Sequence, residues 1–341
     1  MINLDRNENN YGPAPKCYEV LRNADIEHLS YYSTSYREGY KSVLSKRLAD
    51  DFNIDEKRIV LGYGAEDLLK QVVQCYLDEN EKLMIPSYSW WYYKKIASEV
   101  GAANVEYPLV KKENEFVYDV EAFIRIYRSE KPKVLFISSP NNPTGNRIEN
   151  DQLVAILEEA KDSVVVLDEA YLYQDTNAFV LELLDKYPNF IVLRTFSKYF
   201  ALAGVRIGYG LLGKNHDPLS NFSNRYLGYN RLSEEIAIAA LDSPEYYNEI
   251  SRKTNEDKES YYAEIGSLEG FTVFKSEANF VLVEITEEIK NPLKAFLTQK
   301  DINIKFMNED ALHNHLRITL GTQEENRKVI DAIKEFATVN A

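Results

Sequence analysis

The chain has 341 residues, 45% of them hydrophobic and 12% aromatic, which is ample for a large core and too apolar for a disordered segment. Its formal net charge is −14 and its pI about 5.0, whereas a nucleic-acid-binding protein presents a basic face. The two cysteines, Cys17 and Cys75, lie far apart without CxxC spacing, which argues against a disulfide framework and a cysteine zinc site.

The opening "MINLDRNENN" has neither the basic nor the apolar region of a signal peptide, and no stretch approaches the apolar length of a membrane span. Together with the cysteine count, this predicts a soluble cytoplasmic protein. "YKSVLSKRLADDF" (40–52) reads as a helix. "RIVLGYGAEDLLKQVVQCYL" reads as a short strand, a glycine turn and a helix opening at Ala65-Glu66-Asp67. "KLMIPSY" is a strand ended by proline, and "WYYKKIASEVG" a helix stopping at Gly101. "KVLFISSPNNPTG" is a buried strand entering a turn. "DQLVAILEEAKD" is a helix, and "SVVVLDEAY", "NFIVLRTFSK" and "RIGYGLLG" are strands. Val-, Ile- and Leu-rich strands alternating with helices predict a mostly parallel sheet covered on both faces.

The pattern changes after about Arg231. A long helical region is followed by "FTVFKSEANFVLVEI" and "HLRITLGTQEENRKVIDAIKEFA", strands and helices of a smaller α/β lobe. The expected division is an N-terminal segment (1–25) packing with the small domain, a large domain (26–230) and a small C-terminal domain (231–341).

Ligands of such sheets sit beyond the carboxyl ends of the strands. The polar residues there are Gly64-Ala65-Glu66, Asn141-Asn142, Asp168 with Tyr171, and Ser197-Lys198, with Arg206 just before the next strand. Each has an ordinary structural reading, as a helix cap, a turn or a lysine reaching to solvent. As a set they match pyridoxal 5'-phosphate. A lysine meets its aldehyde, a carboxylate its pyridine nitrogen, and a tyrosine and an asparagine its phenolic oxygen. A helix N-terminus, a hydroxyl and an arginine meet its phosphate.

The spelling of these segments points further. "SSPNNPTG" (138–145), "VVLDEAY" (165–171), "LRTFSKYFALAGVRIGYG" (193–210) and "HLRITLGTQEENRKVIDAI" (315–333) resemble the fold-type I pyridoxal phosphate aminotransferases. Within them the chain most resembles the histidinol-phosphate aminotransferase family, and "NENNYGP" (7–13) is similar to that family's N-terminal segment. The resemblance covers nearly the whole chain. It implies a large domain with a mostly parallel sheet of the seven-stranded type, a smaller α/β C-terminal domain, and a homodimer with shared active sites.

Residue by residue, the resemblance makes Lys198 the Schiff-base lysine and pairs Asp168 with the pyridine nitrogen. It puts Tyr171 and Asn142 on the phenolic oxygen, and Ser197, Arg206 and the turn Gly64-Ala65-Glu66 on the phosphate. Glu66 stands where the family has an aspartate. The ring-stacking aromatic is Trp90, counted back from Gly101, or Tyr88, counted forward from Pro86. The tyrosine given across the dimer to the phosphate is Tyr32, with Tyr31 second; the family's tyrosine–proline turn is replaced by "SYYSTSYREGY". Arg317 matches the substrate arginine, with Asn279 and Tyr11 near it. Lys305 stands where a second arginine is usual, and lysine lacks the fork that grips a phosphate from two sides.

The implied activity is transfer of an amino group, with glutamate as donor, to a small phosphorylated ketone by a ping-pong mechanism. A triose-phosphate ketone is an alternative acceptor. A decarboxylase of a phosphorylated amino acid shares the same cofactor site. A non-catalytic regulator would need a basic DNA-binding segment, which this acidic sequence lacks. No GxGxxG follows a first strand, and the four histidines, His28, His216, His313 and His315, do not form a metal-binding pattern.

Overall fold

The apolar runs become strands buried along nearly their whole length, in a computed structural model that describes residues 1–173 and 177–340. The strands are β1 (Ile2–Leu4), β2 (Ile59–Gly62), β3 (Lys82–Pro86), β4 (Ala103–Tyr107), β5 (Leu109–Lys112), β6 (Glu115–Tyr118) and β7 (Val134–Ser138). They continue with β8 (Val164–Asp168), β9 (Phe190–Thr195), β10 (Gly208–Leu212), β11 (Phe271–Val273), β12 (Phe280–Ile285), β13 (Ile302–Phe306) and β14 (His315–Thr319).

A seven-stranded sheet has the order β2-β10-β9-β8-β7-β3-β4. Its strands run parallel except β10, which is antiparallel to both β2 and β9. This is the large, mostly parallel sheet expected. Alternate residues of each strand feed different cores, as strand geometry requires. In β7, Leu135 and Ile137 join one core, while Val134 and Phe136 join the other. A second, five-stranded sheet has the order β1-β13-β14-β12-β11 and its own core, including Leu4, Val281, Leu316 and Ile333. The smaller α/β lobe is therefore also present.

Four helices come early in the chain: α1 (Pro15–Arg22), α2 (Val43–Phe52), α3 (Ala65–Tyr76) and α4 (Trp91–Glu99). Ser42 caps α2 by accepting from the Ser45 amide. Gly101, at φ +75°, turns the chain after α4. Two later helices, Arg231–Leu241 and Pro244–Ser260, bear on the domain division. Their Ile236, Ala237, Ala240, Tyr247 and Ile250 pack into a core of the large sheet, together with Ala14 and Cys17 from the N-terminal segment. Tyr261 is the first residue to join the small-sheet core after them. A boundary near Tyr261 fits these cores better than one at 231. The N-terminal segment is shared, because β1 pairs with β13 while α1 packs on the large domain.

The hairpin β5–β6 and the edge strand β1 carry no pattern that the sequence reading used. β1 is only three residues long, and its register with β13 joins Ile2 to Ile302. Local periodicity does not reveal a pairing of that span.

Candidate active site

Because β2, β7, β8 and β9 run the same way, Gly62, Ser138, Asp168 and Thr195 end at one edge of the large sheet. β10 starts at that edge, so Arg206 arrives there too. The edge opens into a cavity of about 860 Å³ whose far wall is β13 and β14 of the small sheet. Ala65, Glu66, Trp90, Asn142, Asp168, Tyr171, Ser197, Lys198, Arg206, Lys305 and Arg317 all line it. Gly64 adjoins it as the N-cap of α3.

At one end, α3 begins without a side-chain cap, so its first amides and helix dipole face the cavity. Gly64 has φ +89°, and a Cβ there would stand 2.9 Å from Arg206 Nη2. Gly208 leaves equal clearance, since a Cβ on it would meet the Ala65 nitrogen at 2.9 Å. The Arg206 guanidinium donates to the Tyr63 carbonyl at 3.0 Å and the Ala203 carbonyl at 3.1 Å, and its Nη2 lies 3.6 Å from Glu66 Oε2. Ser197 Oγ accepts from Thr195 Oγ1 at 2.9 Å. Bare amides, a hydroxyl and an exposed arginine make this end fit for a phosphate.

In the middle, Lys198 Nζ donates to the Arg6 carbonyl at 3.1 Å and lies 5.5 Å from the centre of the Tyr171 ring. The Tyr171 hydroxyl accepts from Asn142 Nδ2 at 3.1 Å and Asn7 Nδ2 at 3.2 Å. Both of its lone pairs are then used, and its own proton is left to donate. Asp168 is 5% exposed at the end of β8. Burial, the largest influence, pushes its carboxyl above the ordinary range, against the lowering effect of hydrogen bonds from Tyr93 and the Ala170 amide. The Tyr93 hydroxyl donates to Asp168 Oδ2 at 2.6 Å, and the Ala170 amide to Oδ1 at 3.0 Å.

At the other end, Arg317 on β14 is paired in register with Lys305 on β13. Its guanidinium donates to Asn142 Oδ1 at 2.6 Å and to the Asp5 carbonyl at 2.7 Å. Both acceptors are neutral. Among the described residues its buried Nε has no partner. Desolvation is the main influence and lowers its pKa, opposed by Tyr171, Glu309 and Asp5. A half-buried cation with no carboxylate partner among the described residues favours the arrival of an anion.

Other placements differ from expectation. Asn279 does not line the cavity; it is 2% exposed and its Nδ2 holds the Asn7 carbonyl at 3.1 Å. Tyr11 also lies outside, where its hydroxyl accepts from the Gln323 amide at 3.2 Å. In this structure both side chains are taken up in fixing the N-terminal segment. Tyr88 packs on Phe116 at 5.3 Å and is absent from the cavity wall, whereas Trp90 is on it beside Trp91. Tyr31 and Tyr32 are 69% and 71% exposed, away from this chain's cavity.

The structure adds Arg6, Asn7, Tyr93, Met307 and Glu309 to the cavity wall. Tyr93 had one available signal, its position three residues after Trp90 on the same helical face. Arg6 and Asp5 contribute main-chain carbonyls, which no side-chain pattern encodes.

Comparison with known proteins agrees with this architecture. A family model for aminotransferase class I and II matches residues 1–333. The histidinol-phosphate aminotransferase of Methanocaldococcus jannaschii is 32% identical over 341 residues, covering 98% of this chain and 89% of that protein. That of Ruminiclostridium cellulolyticum is 30% identical over 334 residues, covering 97% and 91%. The solved structure of histidinol-phosphate aminotransferase from Sinorhizobium meliloti, in complex with pyridoxal-5'-phosphate, superimposes with a TM-score of 0.86 at 24% identity, over 100% of this chain and 91% of that one. The chain belongs to the aminotransferase class I and II family.

Proposed function

We propose that this pyridoxal phosphate-dependent aminotransferase takes an amino group from glutamate and gives it to a small phosphorylated ketone, in the manner of histidinol-phosphate aminotransferases. The observation that carries the reading is Arg317, a half-buried guanidinium whose hydrogen-bond acceptors among the described residues are all neutral, in the same cavity as Lys198. Such a group is complementary to the carboxylate of a donor and the anionic group of an acceptor. Lys305 beside it adds a second positive charge for a phosphate.

The residues fit the cofactor. Gly64 and Gly208 leave the clearance that Arg206 and the α3 amides need around a phosphate. The Ser197 hydroxyl completes that end. Asp168 would hold a proton on the pyridine nitrogen, Tyr171 and Asn142 would hold the phenolic oxygen, and Trp90 would flank the ring. When bound, pyridoxal phosphate supplies an aldehyde to receive the amino group and a ring that accepts the electron pair left at the substrate Cα. The Lys198 amine would move the proton from that Cα to the cofactor's C4′ carbon with the donor and in the reverse direction with the acceptor, which gives a ping-pong sequence. Arg317 orients the substrate so that its Cα–H faces Lys198.

In this reading the enzyme is a cytoplasmic homodimer. The exposed Tyr31 and Tyr32, with Ile26 and Leu29 at 75% and 65% exposure, form an apolar face suited to a second copy, to which Tyr32 reaches. The test is glutamate with a panel of phosphorylated ketones, following 2-oxoglutarate. Amino transfer to imidazole acetol phosphate or a triose phosphate is the expected result, lost in Lys198→Ala. Carbon dioxide released from a phosphorylated amino acid, without 2-oxoglutarate from glutamate, would overturn it.

A further inference from the structure

We propose that Tyr93 is a positioning residue for Asp168, its buried hydroxyl fixing the carboxylate in the orientation and charge state that meet the cofactor's pyridine nitrogen. The inference rests on the assignment of Asp168 made under the proposed function. Tyr93 is 1% exposed and donates to Asp168 Oδ2 at 2.6 Å, a short charge-assisted bond. The Ala170 amide takes Oδ1 at 3.0 Å. One donor on each oxygen holds the carboxylate against rotation at the cavity wall.

The first turn of α4 makes this arrangement possible. Trp90 is the N-cap, and the Tyr93 amide donates to its carbonyl at 3.0 Å. One turn thus carries the aromatic ring on the cavity wall and the hydroxyl that reaches Asp168. Edge-on packing against Phe136 at 5.1 Å and Trp90 at 6.0 Å fixes the Tyr93 ring.

The charged and titratable groups around Asp168 come from several elements. They are Tyr93 on α4, Tyr118 on β6, Glu169 next in the chain, and Tyr171 and Lys198 across the cavity. Glu169 is neutralised by Arg194 on β9, whose Nε lies 2.8 Å from it. Tyr93 is thus the side chain whose hydrogen bond favours the ionised form of Asp168 against burial. Without that donor the carboxyl rises further, and the loss is greatest at low pH.

The experiment is titration of the apo-protein with pyridoxal phosphate from pH 6 to 9 in wild type, Tyr93→Phe, Asp168→Asn and the double variant. Glutamate kcat and KM are measured alongside. Tyr93→Phe keeps the ring and its packing. The expected result is about tenfold weaker cofactor binding at pH 6.5, the value of one charge-assisted hydrogen bond. The gap narrows toward pH 9, glutamate KM is unchanged, and the substitution costs nothing further in Asp168→Asn. Wild-type affinity in Tyr93→Phe, a loss independent of pH, or an equal loss in the Asp168→Asn background would each overturn the proposal. Wild-type affinity in Asp168→Asn would instead overturn the pyridine assignment beneath it.

Discussion

Replacing Arg317 by lysine separates charge from geometry at the substrate end of the cavity. The charge stays, but the planar fork is lost, and with it the bonds to Asn142 Oδ1 at 2.6 Å and the Asp5 carbonyl at 2.7 Å that aim the guanidinium. An ammonium on a flexible stem keeps one contact to a substrate carboxylate where the guanidinium makes two. The missing charge-assisted bond is worth about 1.5–3 kcal/mol, or roughly 10- to 100-fold in kcat/KM. In the proposed reaction both half-reactions use the same arginine, so donor and acceptor should lose similar amounts. Stopped-flow measurement of each half-reaction, with a separate titration of pyridoxal phosphate, checks this. Cofactor affinity should hold within about threefold, because the phosphate end of the site is untouched. Unchanged kcat/KM for both substrates, or a loss confined to cofactor binding, would refute the reasoning.

At the opposite end, Gly64→Ala forces a side chain into φ +89° with its Cβ 2.9 Å from Arg206 Nη2, so pyridoxal phosphate affinity should fall by about tenfold or more in equilibrium dialysis. His216 and His315 are 3% and 5% exposed, and burial is the main cause that lowers each from 6.5 to about 4. Their folded pKa lies below the unfolded value, so the unfolded chain binds the extra protons. The stability they hold is complete above pH 6.5 and is lost as pH falls toward 4. Urea unfolding of the apo-protein at pH 7 and pH 5 should show a drop of about 2 kcal/mol from each histidine. His216→Asn should remove about half of it; an unchanged drop would count against this account.

How far the sequence revealed the site depended on which atoms do the work. Lys198, Asp168, Tyr171, Asn142 and Arg206, which line one cavity, have side chains whose chemistry is distinctive, and all sit at or just beyond the ends of apolar runs that read as strands. The large sheet was readable for the same reason, since β7 to β10 are short blocks of Val, Ile and Leu. Tyr93 was hidden in "WWYY", where adjacent aromatics differ only in which way the helix turns them. The bonds of Asn279 and Tyr11 to the Asn7 carbonyl and the Gln323 amide were not readable, because proximity to a motif in sequence does not say which way a side chain faces. The helices from Arg231 to Ser260 followed the change of pattern in the sequence, but packing placed them with the larger core.

The N-terminal segment imposes an order on the making of this enzyme. The Asp5 and Arg6 carbonyls and the Asn7 side chain bind Arg317, Lys198 and Tyr171. The Asn7 amide is itself anchored to Thr319 Oγ1 at 2.9 Å. On the ribosome, Asn7 emerges 312 residues before its anchor Thr319. Everything through β10 can assemble before the strand that holds them exists. The nascent chain can therefore build the α3 and Arg206 end of the cavity well before the Arg317 end, which closes only when β14 is complete and Asn7 meets Thr319.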